Sequence, residues 1–246
     1  MDELLDEATR AARWLPDEAW FPVLQKGHPA FAEGMARVGD VIAGDSALPG
    51  GYKMLFAAAI AAVKRDQRLV GHYLGLAAGE GVPYREAEGA GVGVLISRGV
   101  VPHRLLTEAI SEVYGAPESD PVRATASPSA DVQSSLDYFS RYFGFVPDYV
   151  ELLANRAPVA LEGYFLMREA ALTGTALPAK IMELLLCAVN AAEYQARFVM
   201  IHARGARKAG ATEEELVEAC LTALPFAGVA SWLPAAEGIF QSRQDS

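Results

Sequence analysis

The sequence predicts an all-α protein made of two similar helical units in one chain. Three observations lead there. Apolar residues recur with helical periodicity through most of the 246 residues, and strand signals are sparse. Residues 116–132, rich in Pro, Ser, Ala and Asp, interrupt that pattern near the middle and read as a linker. The stretches on either side, 1–115 and 133–246, share a faint order of motifs.

In the first unit the periodicity predicts helices over 2–14, 29–44, 50–79, 84–97 and 101–114. In the second it predicts helices over 131–143, 146–155, 157–173, 178–209, 212–225 and 228–240. The run 178–209 has a candidate break near Asn190-Ala191. The clearest helix start is Thr212-Glu213-Glu214-Glu215: Thr212 caps the helix and Glu215, three residues on, completes a capping box. Gly210 suits the left-handed stop of the preceding helix. GVGVLIS (91–97) is the best strand signal, but its surroundings are alanine-rich and helix-like.

The repeat rests on particular residues. Ala47-Leu48-Pro49 matches Ala176-Leu177-Pro178, and an apolar helix follows each, MLFAAAIAAV (54–63) and IMELLLCAV (181–189). His72 with Gly75 then matches His202 with Gly205, and Glu88 matches Glu218. The prolines stand 129 positions apart and the histidines 130, so one residue is gained between Pro and His in the second unit.

Composition excludes several function classes. A net charge of −10 and a pI near 4.9 argue against nucleic-acid binding. No segment approaches the ~20 apolar residues of a membrane span. The start, MDELLDEATRAARW, lacks the basic region of a signal peptide. The two cysteines, Cys187 and Cys220, form neither a CxxC nor a disulfide framework, so a reduced, cytoplasmic protein is expected. There is no HExxH, P-loop or GxSxG; His28 and His103 lack ligand spacing, and GAGVGVLISRG has no strand–turn–helix context. No metal or other cofactor is expected. Trp14, Trp20 and Phe21, like Phe226, Trp232 and Phe240, read as core or interface aromatics.

Leu177-Pro178, Glu183-Leu184, His202, Ala206, Gly210-Ala211-Thr212 and Glu214-Glu215 resemble the carboxymuconolactone decarboxylase and alkylhydroperoxidase-D superfamily. Redox members of that family carry Glu, eleven residues, Cys, two residues, Cys, three residues and His. Here the same spacing gives Glu183, Gln195, Phe198 and His202. The resemblance implies an all-helical fold that assembles into oligomers, with a pocket between helices and often near a subunit interface. Two fused copies would mimic a dimer of single-domain relatives, and a trimer of such chains would imitate their hexamer.

The departures from that pattern bear on the chemistry. A peroxidatic centre needs a thiolate and a resolving thiol beside it. Gln195 and Phe198 supply neither, and Cys187 (LLLCAVN) and Cys220 (EACLTAL) sit in apolar runs. What remains is Gln195, Phe198 and His202 on one helical face, with Glu183 reaching the same place in the family. A carboxylate beside an imidazole makes a general acid/base. Gln195 could bind a substrate carbonyl or lactone oxygen, with Tyr194 beside it; Arg197 points to the opposite side of the helix. Phe198 reads as core or as a pocket wall. The plainer alternative is that Glu183 and His202 only tie two helices together.

In the first unit, Arg65, Arg68 and His72 hold the equivalent places when counted back from the histidine. They form either an anion site or a solvated basic face. Lys53 matches Glu183 by that count, and Met54 matches it when counted from the proline. The expected function is a cofactor-free, decarboxylase-like lyase or isomerase. Its substrate is a small, anionic carbonyl or lactone acid, and the enzyme is a homo-oligomer. The alternatives are a non-catalytic binding or scaffold module and a thiol peroxidase relative.

Overall fold

A computed structural model describes residues 14–15, 20–115 and 130–243. All of the expected helix 2–14 but its last residue, and most of the linker, lie outside them. Among the described residues the chain is helical and contains no strand. The first series is α1 (Trp20–Gly27), α2 (Pro29–Ala43), α3 (Gly50–Val63), α4 (Gln67–Gly79), α5 (Tyr84–Arg98) and α6 (Val100–Tyr114). The second is α7 (Val132–Phe143), α8 (Asp148–Arg156), α9 (Pro158–Thr173), α10 (Ala179–Ala192), α11 (Ala196–Lys208), α12 (Glu213–Leu221), α13 (Leu224–Ala227) and α14 (Trp232–Gln241). A short 3₁₀ turn, Val229–Ser231, leads into α14.

Two expected long helices are each broken. The run 50–79 divides at Lys64-Arg65-Asp66, and 178–209 divides at Glu193-Tyr194-Gln195, just beyond the candidate break. Arg65 (φ 64°) and Tyr194 (φ 58°) take the left-handed conformation, which reverses the chain so that each pair of helices becomes a hairpin. Asp66 then caps α4 by accepting from the Leu69 N–H at 3.0 Å. Helix α1 was not expected from the sequence. The stretch 91–97 is part of α5, where its glycines serve close packing: a Cβ on Gly93 would lie 2.5 Å from Met182 Sδ. The Thr212–Glu215 capping box forms as expected, and Gly210 has φ 88°.

The two series keep a constant spacing. Helices α3 and α10 both have 14 residues, and α4 and α11 both have 13. Pro29 and Pro158 open α2 and α9, and Gly81/Gly210 and Gly99/Gly228 share positive φ. Each counterpart stands 129 positions on, the separation of the ion-paired Lys64 and Glu193. Equal helix lengths leave no room for a residue gained between proline and histidine. Tyr73, not His72, is therefore level with His202, and Met54, not Lys53, with Glu183.

The described residues form two compact units. One joins those up to 115 with 176–243, and the other holds 130–175. This grouping differs from a division at the linker, because helices from both ends of the chain share one core. Its centre is α3 and α10, almost wholly buried and largely apolar apart from Lys53, Glu183 and Asn190. Lys64 donates to Glu193 Oε1 (2.6 Å) and to the Ala192 carbonyl (2.9 Å). Lys53, fully buried, donates to Glu218 Oε2 (3.0 Å), Val41 O (2.7 Å) and Ser46 Oγ (2.9 Å). The smaller unit packs α7, α8 and α9 around Phe139, Val150, Leu161 and Phe165. There Arg168 stacks 3.8 Å from the centre of the Tyr142 ring and donates to the Tyr138 hydroxyl at 2.7 Å.

Candidate functional site

Helices α10 and α11 run antiparallel out of the turn at Tyr194, and this places Glu183 opposite His202. Glu183 Oε2 lies 2.7 Å from His202 Nδ1. The side chains are 6% and 14% exposed, so the carboxylate is buried while the imidazole keeps an opening to its surroundings. A carboxylate accepts from Nδ1–H, which leaves Nε2 with the free lone pair. The pair can therefore take up and return a proton at Nε2.

The other residues named from the sequence are less closely gathered. Gln195 is the exposed N-cap residue of α11, and its side chain makes no cap bond. Phe198 is 48% exposed on the first turn, so it belongs to the surface and not to the core. Both share the face of His202 but lie toward the exposed end of the helix. Tyr194 donates its hydroxyl to the Ala227 carbonyl at 2.8 Å, and the Lys64 ammonium lies 5.9 Å from its ring centre.

In the first series, Arg65 occupies the turn and both Arg65 and Arg68 are exposed. His72 is half-buried; burial and then the nearby Arg68 charge hold its pKa below the usual 6.5. Its Nε2 is buried without a hydrogen-bond partner. Level with the Glu183–His202 pair stand Met54 and Tyr73, both in the core, with the Tyr73 ring 5.6 Å from that of Phe226. Lys53 faces Glu218 rather than any histidine.

The thiols are placed against redox work. Cys187 and Cys220 are both fully buried. Burial first, then Cys220 and Glu183, push the Cys187 thiol well above its usual pKa; burial pushes Cys220 up to about 12. A thiol held protonated is a poor nucleophile.

Two polar residues near the turn between α10 and α11 were not named as site residues from the sequence. Asn190, 1% exposed, lies two turns after Glu183 on the same face of α10. Its Nδ2 donates to Leu186 O (2.7 Å), and its Oδ1 accepts from Arg98 Nη2 (2.6 Å) at the end of α5. An asparagine inside LLLCAVNAA is a buried polar group that requires partners, and that was the available signal. Among the described residues no cluster of three His, Cys, Asp or Glu could hold a metal ion.

Residues 158–241 match the sequence profile described as "Carboxymuconolactone decarboxylase family". No curated protein matches the chain. The fold is shared with a crystal structure described as that of a gamma-carboxymuconolactone decarboxylase subunit from Burkholderia xenovorans LB400. The two are 21% identical, with 96% of each chain covered and a TM-score of 0.62. The segment 158–241, which holds Glu183 and His202, is thus similar in sequence to the carboxymuconolactone decarboxylase family, and the chain shares its fold with a structure described as one of that family's subunits.

Proposed function

We propose that this chain is a cofactor-free lyase or isomerase acting on a small carbonyl or lactone acid, with His202 as the group that moves the proton. The observation that carries this reading is the 2.7 Å Glu183–His202 contact, buried on the carboxylate side and open on the imidazole side. The two buried thiols favour it over peroxidase chemistry. In the decarboxylation form, the bond to the departing carboxylate breaks and its electron pair enters the conjugated carbonyl. Carbon dioxide leaves, and protonated His202 returns a proton from Nε2 to carbon. Glu183 holds the ring and balances the imidazolium. Gln195 offers its amide to the carbonyl or lactone oxygen; Tyr194, already donating to Ala227, can only accept.

In this reading the constant 129-residue spacing marks a duplicated unit, of which only the second copy keeps the acid/base pair. The chain acts as a homo-oligomer. Exposed apolar residues support this by recurring at matching places in both series, as Trp20 with Tyr149, Val23 with Leu152 and Val100 with Val229. The functional test is carbon dioxide release or isomerisation across a panel of β-keto and lactone acids. Turnover that vanishes in His202→Ala supports the reading. Full turnover in that variant would leave Glu183–His202 as a structural pair in a binding or scaffold module.

A further inference from the structure

We propose that Arg98, from the first half of the chain, binds a non-reacting carboxylate of the substrate at the Glu183–His202 site. The proposal rests on the acid/base reading above and adds the group that orients the substrate.

The first support is the state of the guanidinium. Its Nη1 donates to Ser97 O (2.8 Å) and Ser97 Oγ (3.1 Å), and its Nη2 donates to Asn190 Oδ1 (2.6 Å). All three acceptors are neutral. Its Nε is buried and has no partner. The carboxylate whose charge acts on it, Glu193, is already bonded to Lys64. A partly desolvated guanidinium whose bonded acceptors are all neutral is suited to a planar, two-oxygen anion.

The second support is placement. Asn190 fixes the guanidinium, and the Asn190 amide is itself fixed by the Leu186 carbonyl. Asn190 stands seven residues after Glu183, on the same side of α10 and roughly 10 Å along it. A small acid whose reacting carbon meets His202 can therefore extend a second anionic group to Arg98.

The third support is an asymmetry between the two halves. One pair of counterparts, Lys64 and Glu193, bond to each other. The counterpart of Arg98 is Ala227, and that of Asn190 is Ala61. The counterparts of Glu183 and His202 are Met54 and Tyr73. The arginine and its asparagine thus occur beside the half-site that holds the acid/base pair and are missing where that pair is missing. A bond needed only to join the helices would be wanted on both sides.

The test is calorimetric titration with glutarate, succinate and adipate at neutral pH and low salt, with glutaramide as the uncharged control. The wild-type protein is expected to bind at least one dicarboxylate and not glutaramide. Arg98→Gln should weaken that binding at least tenfold, as loss of a charged hydrogen bond implies. Arg98→Lys should keep the charge but lose the two-pronged contact, with intermediate binding; it carries the test if Arg98→Gln does not fold. On a turned-over substrate, the Arg98 variants should raise KM more than they lower kcat. Dicarboxylate binding unchanged in both Arg98 variants, or undetectable in the wild type, would overturn the proposal. His202→Gln separates the two ideas: it should keep dicarboxylate binding, while its full turnover would sink the acid/base reading alone.

Discussion

A single hydrogen bond to a carboxylate separates His202 from His72. His202 has its Nδ1 tied to Glu183, so its second nitrogen has a fixed role and a carboxylate stands ready to balance the imidazolium. His72 has no such bond, and it sits half-buried beside Arg68, which disfavours its charged form. Because its folded pKa lies below 6.5, the unfolded chain takes up the proton first as pH falls. Its contribution to stability is complete above pH 6.5 and is lost below it. Urea unfolding from pH 8 down to pH 5 should show this decline, and His72→Gln should flatten that part of the curve. An identical slope in wild type and variant would remove His72 from the account. The spacing that singled out Glu183 and His202 was legible because helical periodicity is regular. The equivalence of His72 with His202 misled because alanine-rich helices align almost as well one residue out of step.

At the scale of elements, the sequence indicated most helices, placed the break in 178–209 a few residues early and missed the one in 50–79. Arg65 and Tyr194 are neither glycine nor asparagine, the residues that usually announce a left-handed turn. The hairpins they create are what bring Glu183 against His202, so the site depends on an event with little local signal. Thr212 and Glu215 were readable because a capping box is written in residues three apart. The close contact of α14 with α11 was not readable. A Cβ on Gly238 would lie 2.7 Å from the Ala196 carbonyl and 2.7 Å from Val199 Cβ. Gly238→Ala should therefore push α14 off α11 and cost about 1–3 kcal/mol, measured by thermal or urea unfolding. A melting temperature equal to wild type would show that the two helices separate freely.

At the scale of the whole molecule, helical periodicity gave the all-α class of fold, while the grouping of helices into compact units had no local signal. Distant contacts made that grouping, above all Lys53 with Glu218, a pair that no local pattern signals. Burial raises the Glu218 pKa, but the Leu48 N–H, the Ser46 hydroxyl, the Ala47 N–H and Lys53 outweigh it and hold the carboxyl below 4.5. Its stabilisation is present above pH 4.5 and is lost as pH falls through the folded value. Glu218→Ala leaves a buried ammonium without its anion and two backbone N–H groups unmet. It should cost about 3–5 kcal/mol at pH 7 and reduce the loss of stability in acid. An unchanged acid limb would assign that loss to other carboxylates. Assembly is checked by sedimentation: the account expects more than one chain per particle, and replacing Val100 and Val229 with Asp should shift the particle toward the monomer.

The central claim is that His202 transfers a proton to or from substrate carbon. The most direct measurement is deuterium incorporation from D2O into that carbon, in a substrate found active in the acid panel, by wild type and His202→Gln. The account predicts one solvent-derived deuterium per turnover in the wild type, and a rate lower by roughly 10²-fold or more in the variant, with folding intact. Equal incorporation by both proteins would contradict it.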